Sequence, residues 1–403
     1  MQTQASKPAT RTDISAGAAL RFVVFLGVVS LFADMTYEGA RSVTGPFLAI
    51  LGASGAVVGV VAGLGELVGY GLRLVSGQIA DRTQRYWAMT LAGYTVNMLA
   101  VPLLALAGRW EVAALLIIAE RTGKAMRNPP RDVMLSHATL QIGRGWGFGL
   151  HEALDQTGAV LGPLLVAGVL YVRGDYRVAF AALGISALLA LGTLVAARIT
   201  YPTPRDFEAT AAVELETRGF PKAYWLYLAA VALVAAGFAD FPLIAYHFQK
   251  TSLVSPDFIP LYYAVAMGVA GVAGLIFGRL FDRSGLSVLI AASVIAALFA
   301  PLVFFGSFTF ALLGMACWGI GMGAHESVMR AAVADFVPAN RRGSAYGIFN
   351  AGYGLSWFLG SALIGILYDT SIPWLVAFSV AAQLASIPVF LVVRREMSLR
   401  PNR

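Results

Sequence analysis

Apolar residues run along this chain in long unbroken blocks, each closed by a charge, a glycine or a proline, and each about as long as a bilayer is thick. Twelve blocks can be counted, at 21–43, 54–76, 86–107, 111–127, 146–171, 177–198, 223–248, 259–280, 286–305, 308–332, 344–367 and 373–393. A hydrocarbon core of about 30 Å takes roughly 20 apolar residues per helix. Backbone crossing lipid must satisfy its own hydrogen bonds, which leaves only helices and closed barrels. The alternating pattern of a barrel strand is absent. The pattern therefore predicts an all-α membrane protein with twelve transmembrane helices. Composition agrees, since 58% of the residues are apolar and 13% charged, against roughly 25% charged in a soluble domain.

The polar positions between blocks set the topology. With the amino terminus inside, most of the 29 Lys and Arg fall on one side, so the positive-inside rule places both termini in the cytoplasm and the protein in the inner cell membrane. Residues 1–20 are polar and basic, without the short apolar core and cleavage site of a signal peptide, and read as a cytoplasmic tail. Residues 394–403 read as a second tail. A net charge of +7 would point to nucleic acid in a soluble protein; here the basic residues sit in short loops, and no nucleic-acid partner is expected. The single cysteine, Cys317, excludes a disulfide framework or a cysteine metal cluster.

The one long polar connection, "RITYPTPRDFEATAAVELETRGFPK", splits the chain into a bundle at 21–198 and a bundle at 223–393, joined by a cytoplasmic linker at 199–222. The halves repeat. "RGWGFGLHEALDQTGAVLG" from Arg144 lies without gaps on "RGSAYGIFNAGYGLSWFLG" from Arg342, matching Gly145 with Gly343, Gly149 with Gly347, Ala153 with Ala351 and Gly162 with Gly360. "GQIADRTQR" after the second span matches "GRLFDRSG" after the eighth, and "LFAD" ending at Asp34 pairs with "GFAD" ending at Asp240. Two parallel six-helix repeats place a substrate site between them, near the bilayer midplane.

On these residues the chain resembles the major facilitator superfamily. The loop pattern of glycine, any residue, aliphatic, small, Asp, Arg is carried by Gly77, Ile79, Ala80, Asp81 and Arg82, and echoed by Gly278, Leu280, Phe281, Asp282 and Arg283; Gln84 stands where the first copy usually has glycine. The resemblance implies two pseudo-symmetric bundles and a gating role for Gly77, Asp81, Arg82, Arg85, Gly278, Asp282 and Arg283. Gly158, Gly162 and Pro163 resemble the fifth-span motif of proton-coupled exporters, although Val166 and Ala167 stand before Gly168. Arg121 only half matches that group's fourth-span pattern. Physically, the Asp81 carboxylate can meet the positive end of the following helix dipole, with Arg82 and Arg85 reaching facing acids or lipid phosphates.

The stretch "SLFADMTYEGARSV" places Asp34, Glu38 and Arg41 inside the first span. A charge at the bilayer centre costs about 2.5 to 3.5 kcal/mol even on the lenient scale, so it needs a reason. Asp34 lies about 18 Å along the helix, near the midplane. Glu38 and Arg41 follow on one face, and Arg41 is expected to neutralise Glu38. Glu66 reaches a similar depth in the second span, with Tyr70 and Arg73 on its face. Low dielectric favours a protonated carboxyl, which makes Asp34, Glu66 and Asp155 candidate proton-coupling groups; a static polar brace between the first two spans is the other reading.

Spans 4 and 5 bring Arg121, Lys124, Arg127, Arg131 and Asp132 against His151, Glu152 and Asp155, and span 10 repeats the theme in His325 and Glu326. This cluster fits an inner-gate ion-pair network, a substrate or proton site, or a divalent-metal site. "HEALD" is not the HExxH zinc signature and lacks a third ligand, so neither a bound metal nor a metalloprotease is expected. Candidate cavity residues are Tyr37, Glu38, Tyr70, Arg121, His151, Glu152, Asp240, His325, Glu326, Asn350 and Tyr353. The glycines Gly55, Gly59 and Gly63 predict close helix packing. No phosphate-binding loop is present, so ion gradients or the substrate must drive the protein. The sequence reads as a monomeric secondary transporter without a cofactor, exporting a small organic molecule in exchange for protons, with metal or polar-metabolite transport as the alternative and a membrane-embedded enzyme as a remote one.

Overall fold

A computed structural model describes residues 16–202, 219–337 and 341–398. The expected cytoplasmic tails and linker fall largely outside these residues. Among the described residues the chain is helical and holds no strand. The amino-terminal half consists of α1 (Ala16–Ile50), α2 (Gly55–Thr83), α3 (Tyr86–Leu103), α4 (Trp110–Ile142), α5 (Arg144–Arg173) and α6 (Tyr176–Thr200). In the second half, the first crossing is broken into α7 (Lys222–Gly237) and α8 (Phe241–Thr251), and α9 (Ile259–Ser284) follows. The next is broken into α10 (Ser287–Ala297) and α11 (Phe299–Phe304). Then come α12 (Phe308–Ala324), a π-helical turn His325–Met329, α13 (Arg330–Phe336), α14 (Arg342–Thr370) and α15 (Ile372–Ser398). Among the described residues eleven helical spans, with α7–α8, α10–α11 and α12–α13 each counted as one, are long and apolar enough to cross a membrane; α4, rich in charge, is the twelfth crossing.

Twelve crossings bring both ends of the described chain to one face, the terminal face. Leu106, Leu115, Tyr171, Val172, Ile185, Ile199, Leu275 and Trp374 are exposed on the outside of the bundles, the surface a hydrocarbon solvent covers.

α4 runs well past residue 127, where the apolar block ends, and through Pro129 and Pro130. A proline inside a helix removes an N–H donor and orphans the carbonyl four residues back. For Pro129 that is the Ala125 carbonyl, and Ser76 of α2 donates its hydroxyl to it at 2.8 Å. A neighbouring hydroxyl thus replaces the missing backbone donor, and the charged face of α4 continues to the terminal face.

On the far face the two bundles are sealed together. The glycine stripe of α2 packs against α14 as its four-residue spacing predicts: a Cβ on Gly59 would strike the Ser361 carbonyl, and one on Gly63 would lie 2.8 Å from the Ser361 side chain and 3.0 Å from Phe358 Cα. The first amides of α2, on Gly55 and Ala56, donate to the Asp369 carboxylate of α14 at 2.9 and 2.7 Å. Tyr246 of α8 donates to the Ala53 carbonyl at 3.2 Å. α1 rests on α8 so closely that a Cβ on Gly45 would overlap Pro242.

Candidate functional site

Asp34, Tyr37, Glu38 and Arg41 recur at helical spacing on α1, and all four line a cavity of about 230 Å³ between the bundles. The other lining residues of the first bundle, including Tyr70, Arg73, Arg121, Lys124, Arg127, Arg131, Glu152 and Asp155, lie from mid-helix toward the ends that meet the terminal face. The cavity therefore faces that side, beneath the sealed far face. Its second-bundle wall is mostly aromatic and thioether: Tyr263, Met267, Met322, Met329, Phe349, Tyr353 and Trp357, with His325 and Glu326.

The floor is an ion-pair network that crosses between bundles. The Arg41 guanidinium donates to Glu66 at 2.9 Å and to Asp240 at 3.1 Å. Arg121 lies 3.5 Å from Glu66 and 3.3 Å from Glu120. Asp240 sits where α7 breaks, in the extended residues before α8, and also accepts from Ser361 at 2.6 Å and Trp357 at 3.0 Å. The expected Arg41–Glu38 pair does not form. Glu38 instead accepts from Tyr263 of α9 at 2.5 Å and faces Lys124 at 4.0 Å. Asp240, expected in the cavity, lies at its floor and borders a smaller void of about 30 Å³ shared with Glu66, Glu120 and Arg121.

Above the floor the pairing is looser. Asp34 is 4.0 Å from Arg127, whose guanidinium lies 4.2 Å from the centre of the Tyr94 ring. Lys124 sits 3.8 Å over the Tyr37 ring. Asp155 of α5 faces Asp34 of α1 within side-chain interaction range. The two helices meet there because Gly158 and Gly162 have no side chains: a Cβ on either would overlap the Leu31 or the Met35 carbonyl. Gly158 and Gly162 of the exporter-like motif thus set the separation of two buried acids.

Several expected site residues lie elsewhere. His151 is buried but turned from the cavity, its Nε2 3.1 Å from the Ser30 hydroxyl, which also accepts from Arg131 at 3.0 Å. Asn350 does not line the cavity; its neighbours Phe349, Tyr353 and Trp357, four residues apart, present the cavity face of α14. Glu66 is clamped between two guanidiniums, whereas Asp34 and Asp155 face each other. Asp81, Arg82, Arg85, Asp282 and Arg283 are exposed and make no ion pair among the described residues. Gly77 lies near Pro129, and Gly278 faces open space. Gln84 takes the left-handed conformation, φ 52°, that glycine would adopt. Among the described residues no group of three or more His, Cys, Asp or Glu is placed to hold a metal. The sequence reading missed Tyr263, Met267, Met322 and Phe349 as wall residues; in apolar helices they look like packing.

A sealed far face, a charged cavity between two bundles and a lipid-facing exterior define a multi-pass membrane transporter rather than an enzyme. The sequence matches the family model of the Major Facilitator Superfamily over residues 24–323 and 226–402, and the chain belongs to that superfamily. It is similar to an uncharacterized protein of Mycobacterium tuberculosis, 43% identical over 392 residues, which span 96% of this chain and 95% of that one. A shorter stretch of 119 residues is 34% identical to the multidrug resistance protein MdtH of Proteus mirabilis, covering 30% of each chain. The fold is similar to the crystal structure of the nucleoside transporter NupG, with TM-score 0.73 at 13% identity, over 92% of this chain and 100% of that one.

Proposed function

We propose that this transporter works by alternating access, exporting a small organic molecule in exchange for protons, from a state in which the cavity faces the cytoplasm. The asymmetry of Lys and Arg supports cytoplasmic termini in the inner membrane, and the cavity faces the side that carries them. The observation that carries proton coupling is the buried carboxyl pair Asp34 and Asp155, with Arg127 at 4.0 Å. Two acids held together in low dielectric repel unless a proton is shared. Cargo or water arriving from the cavity changes that balance, so proton release and cargo binding become linked. Export is supported by the Gly158, Gly162 and Pro163 pattern and by the stretch similar to a multidrug resistance protein.

The exposed residues Asp81 and Arg82 at the end of α2 and Arg85 just after it, with Asp282 and Arg283 at the end of α9, fit a latch that engages when the terminal face closes. One chain holds the whole cavity, which supports a monomer. In proteoliposomes, an imposed pH gradient drives cargo accumulation, and Asp155→Asn abolishes the drive while leaving cargo exchange. Gradient-driven accumulation that survives in Asp155→Asn removes Asp155 from the coupling pair.

A further inference from the structure

The loose pairs above the floor show what the cavity is built to hold. Arg127 is 1% exposed, yet its Nε and Nη1 have no hydrogen-bond partner, and the Asp34 oxygen facing it stands at 4.0 Å, beyond hydrogen-bond length. Acceptors are left open as well: Asp155 Oδ1, Gln156 Oε1 and Asn128 Oδ1 are buried without a partner, and all three residues line the same cavity as Arg127. One cavity thus holds both unmet donors and unmet acceptors. Most buried polar atoms in folded proteins are satisfied, so a cluster of both kinds on a cavity wall marks where a ligand's polar groups go.

Charge balance restricts the ligand further. Arg41 and Arg121 are already engaged by the floor acids Glu66, Asp240 and Glu120, whereas Arg127 and the Asp34–Asp155 pair are more loosely met. A bare cation leaves Arg127 unmet and a bare anion leaves the acid pair unmet, and an unpaired buried charge is strongly unfavourable. A molecule carrying one charge of each sign satisfies Arg127 and the Asp34–Asp155 pair together. The opposite wall, with Phe349, Tyr353, Trp357, Met322 and Met329, offers apolar contact to the rest of the molecule. A volume of about 230 Å³ is below the roughly 300–1,000 Å³ of pockets that take drug-sized ligands.

We propose that the cargo is a small zwitterion of the α-amino acid kind with an apolar side chain, its carboxylate on Arg127, its ammonium on Asp34 and Asp155, and its side chain against the α14 aromatics. The assignment rests on the reading of this cavity as the transport site. It accounts for exchange with protons, because the ammonium and the shared proton compete for one acid pair while the carboxylate holds Arg127 away from Asp34.

Binding to the purified full-length protein in nanodiscs tests this without a gradient. Isothermal titration would compare L-phenylalanine and L-leucine with the amine lacking the carboxylate and the acid lacking the ammonium. The proposal expects both zwitterions to bind and each truncated partner to bind at least about 30-fold more weakly, the loss that accompanies one unpaired buried charge. In Arg127→Gln the zwitterion should fall to the affinity of its amine; the wild-type series decides by itself if that variant does not fold. Amine or acid binding as tight as the zwitterion overturns the proposal, and so does absence of binding by both amino acids. Proton coupling is measured separately in vesicles, so amino acid binding in a protein that ignores a pH gradient would uphold the cargo class and reject the coupling.

Discussion

Arg41 on the first helix and Asp240 at the break of the seventh crossing are 199 positions apart, and their side chains meet at 3.1 Å beneath the sealed far face. The repeat aligns Asp240 with Asp34, but its partner is an arginine of the opposite bundle. The pair is completed by Glu66, Trp357 and Ser361, so both bundles contribute to the floor.

Breaking that floor should weaken the sealed state. Removing one member of a buried ion pair costs about 3–5 kcal/mol because the other charge is left uncompensated. Arg41→Ala and Asp240→Asn should each lower the melting temperature in detergent. A double-mutant cycle between them should return a coupling of at least about 1 kcal/mol, whereas additive losses would mean that the pair is not a unit.

The glycine stripe of α2 should be sensitive at one position and tolerant at another. Gly59→Ala places a methyl into the Ser361 carbonyl, while a Cβ on Gly71 meets nothing within 4 Å. A cysteine reporter near the far ends of α2 and α14 should therefore label faster in Gly59→Ala. Gly71→Ala should leave labelling unchanged and add up to about 1 kcal/mol of stability through helix propensity.

Ser76 and Pro129 should behave as a couple. Ser76→Ala strips the Ala125 carbonyl of its side-chain donor and should cost about 1–3 kcal/mol. Restoring a backbone donor with Pro129→Ala should recover much of that loss, a rescue readable as a rise in melting temperature of the double variant over Ser76→Ala alone.

Gln84 carries backbone strain that glycine would not. Its φ of 52° closes α2 in the left-handed region, where a non-glycine residue loses about 1 kcal/mol or more. Gln84→Gly should raise thermal stability by up to about 1 kcal/mol, read as a higher melting temperature; an unchanged or lower one would show that the left-handed turn is not strained.

Span number, the two-bundle repeat and the α2 packing stripe were legible because they depend on local periodicity and on matches at a fixed offset. The Asp34–Glu38–Arg41 face was legible for the same reason, but Arg41's partners were not: sequence spacing offered Glu38 three residues away, and the fold supplied Glu66 and Asp240. Asn350 was misplaced by one position on α14, a rotation of about 100° on a 3.6-residue helix, enough to turn it from the cavity that Phe349 and Tyr353 line. His151 looked like a cavity group until Ser30 of α1 was seen to hold it. The apolar block closes at 127, while α4 continues through Pro129 and Pro130, with a hydroxyl on a neighbouring helix meeting the carbonyl that Pro129 orphans.

The central claim is that the facing acids of α1 and α5 carry the proton that drives the exchange of states. The most direct measurement compares gradient-driven accumulation with counterflow of the same cargo in proteoliposomes holding wild-type or Asp34→Asn protein. The account predicts that Asp34→Asn keeps counterflow and loses accumulation. Accumulation at the wild-type level in Asp34→Asn would contradict it.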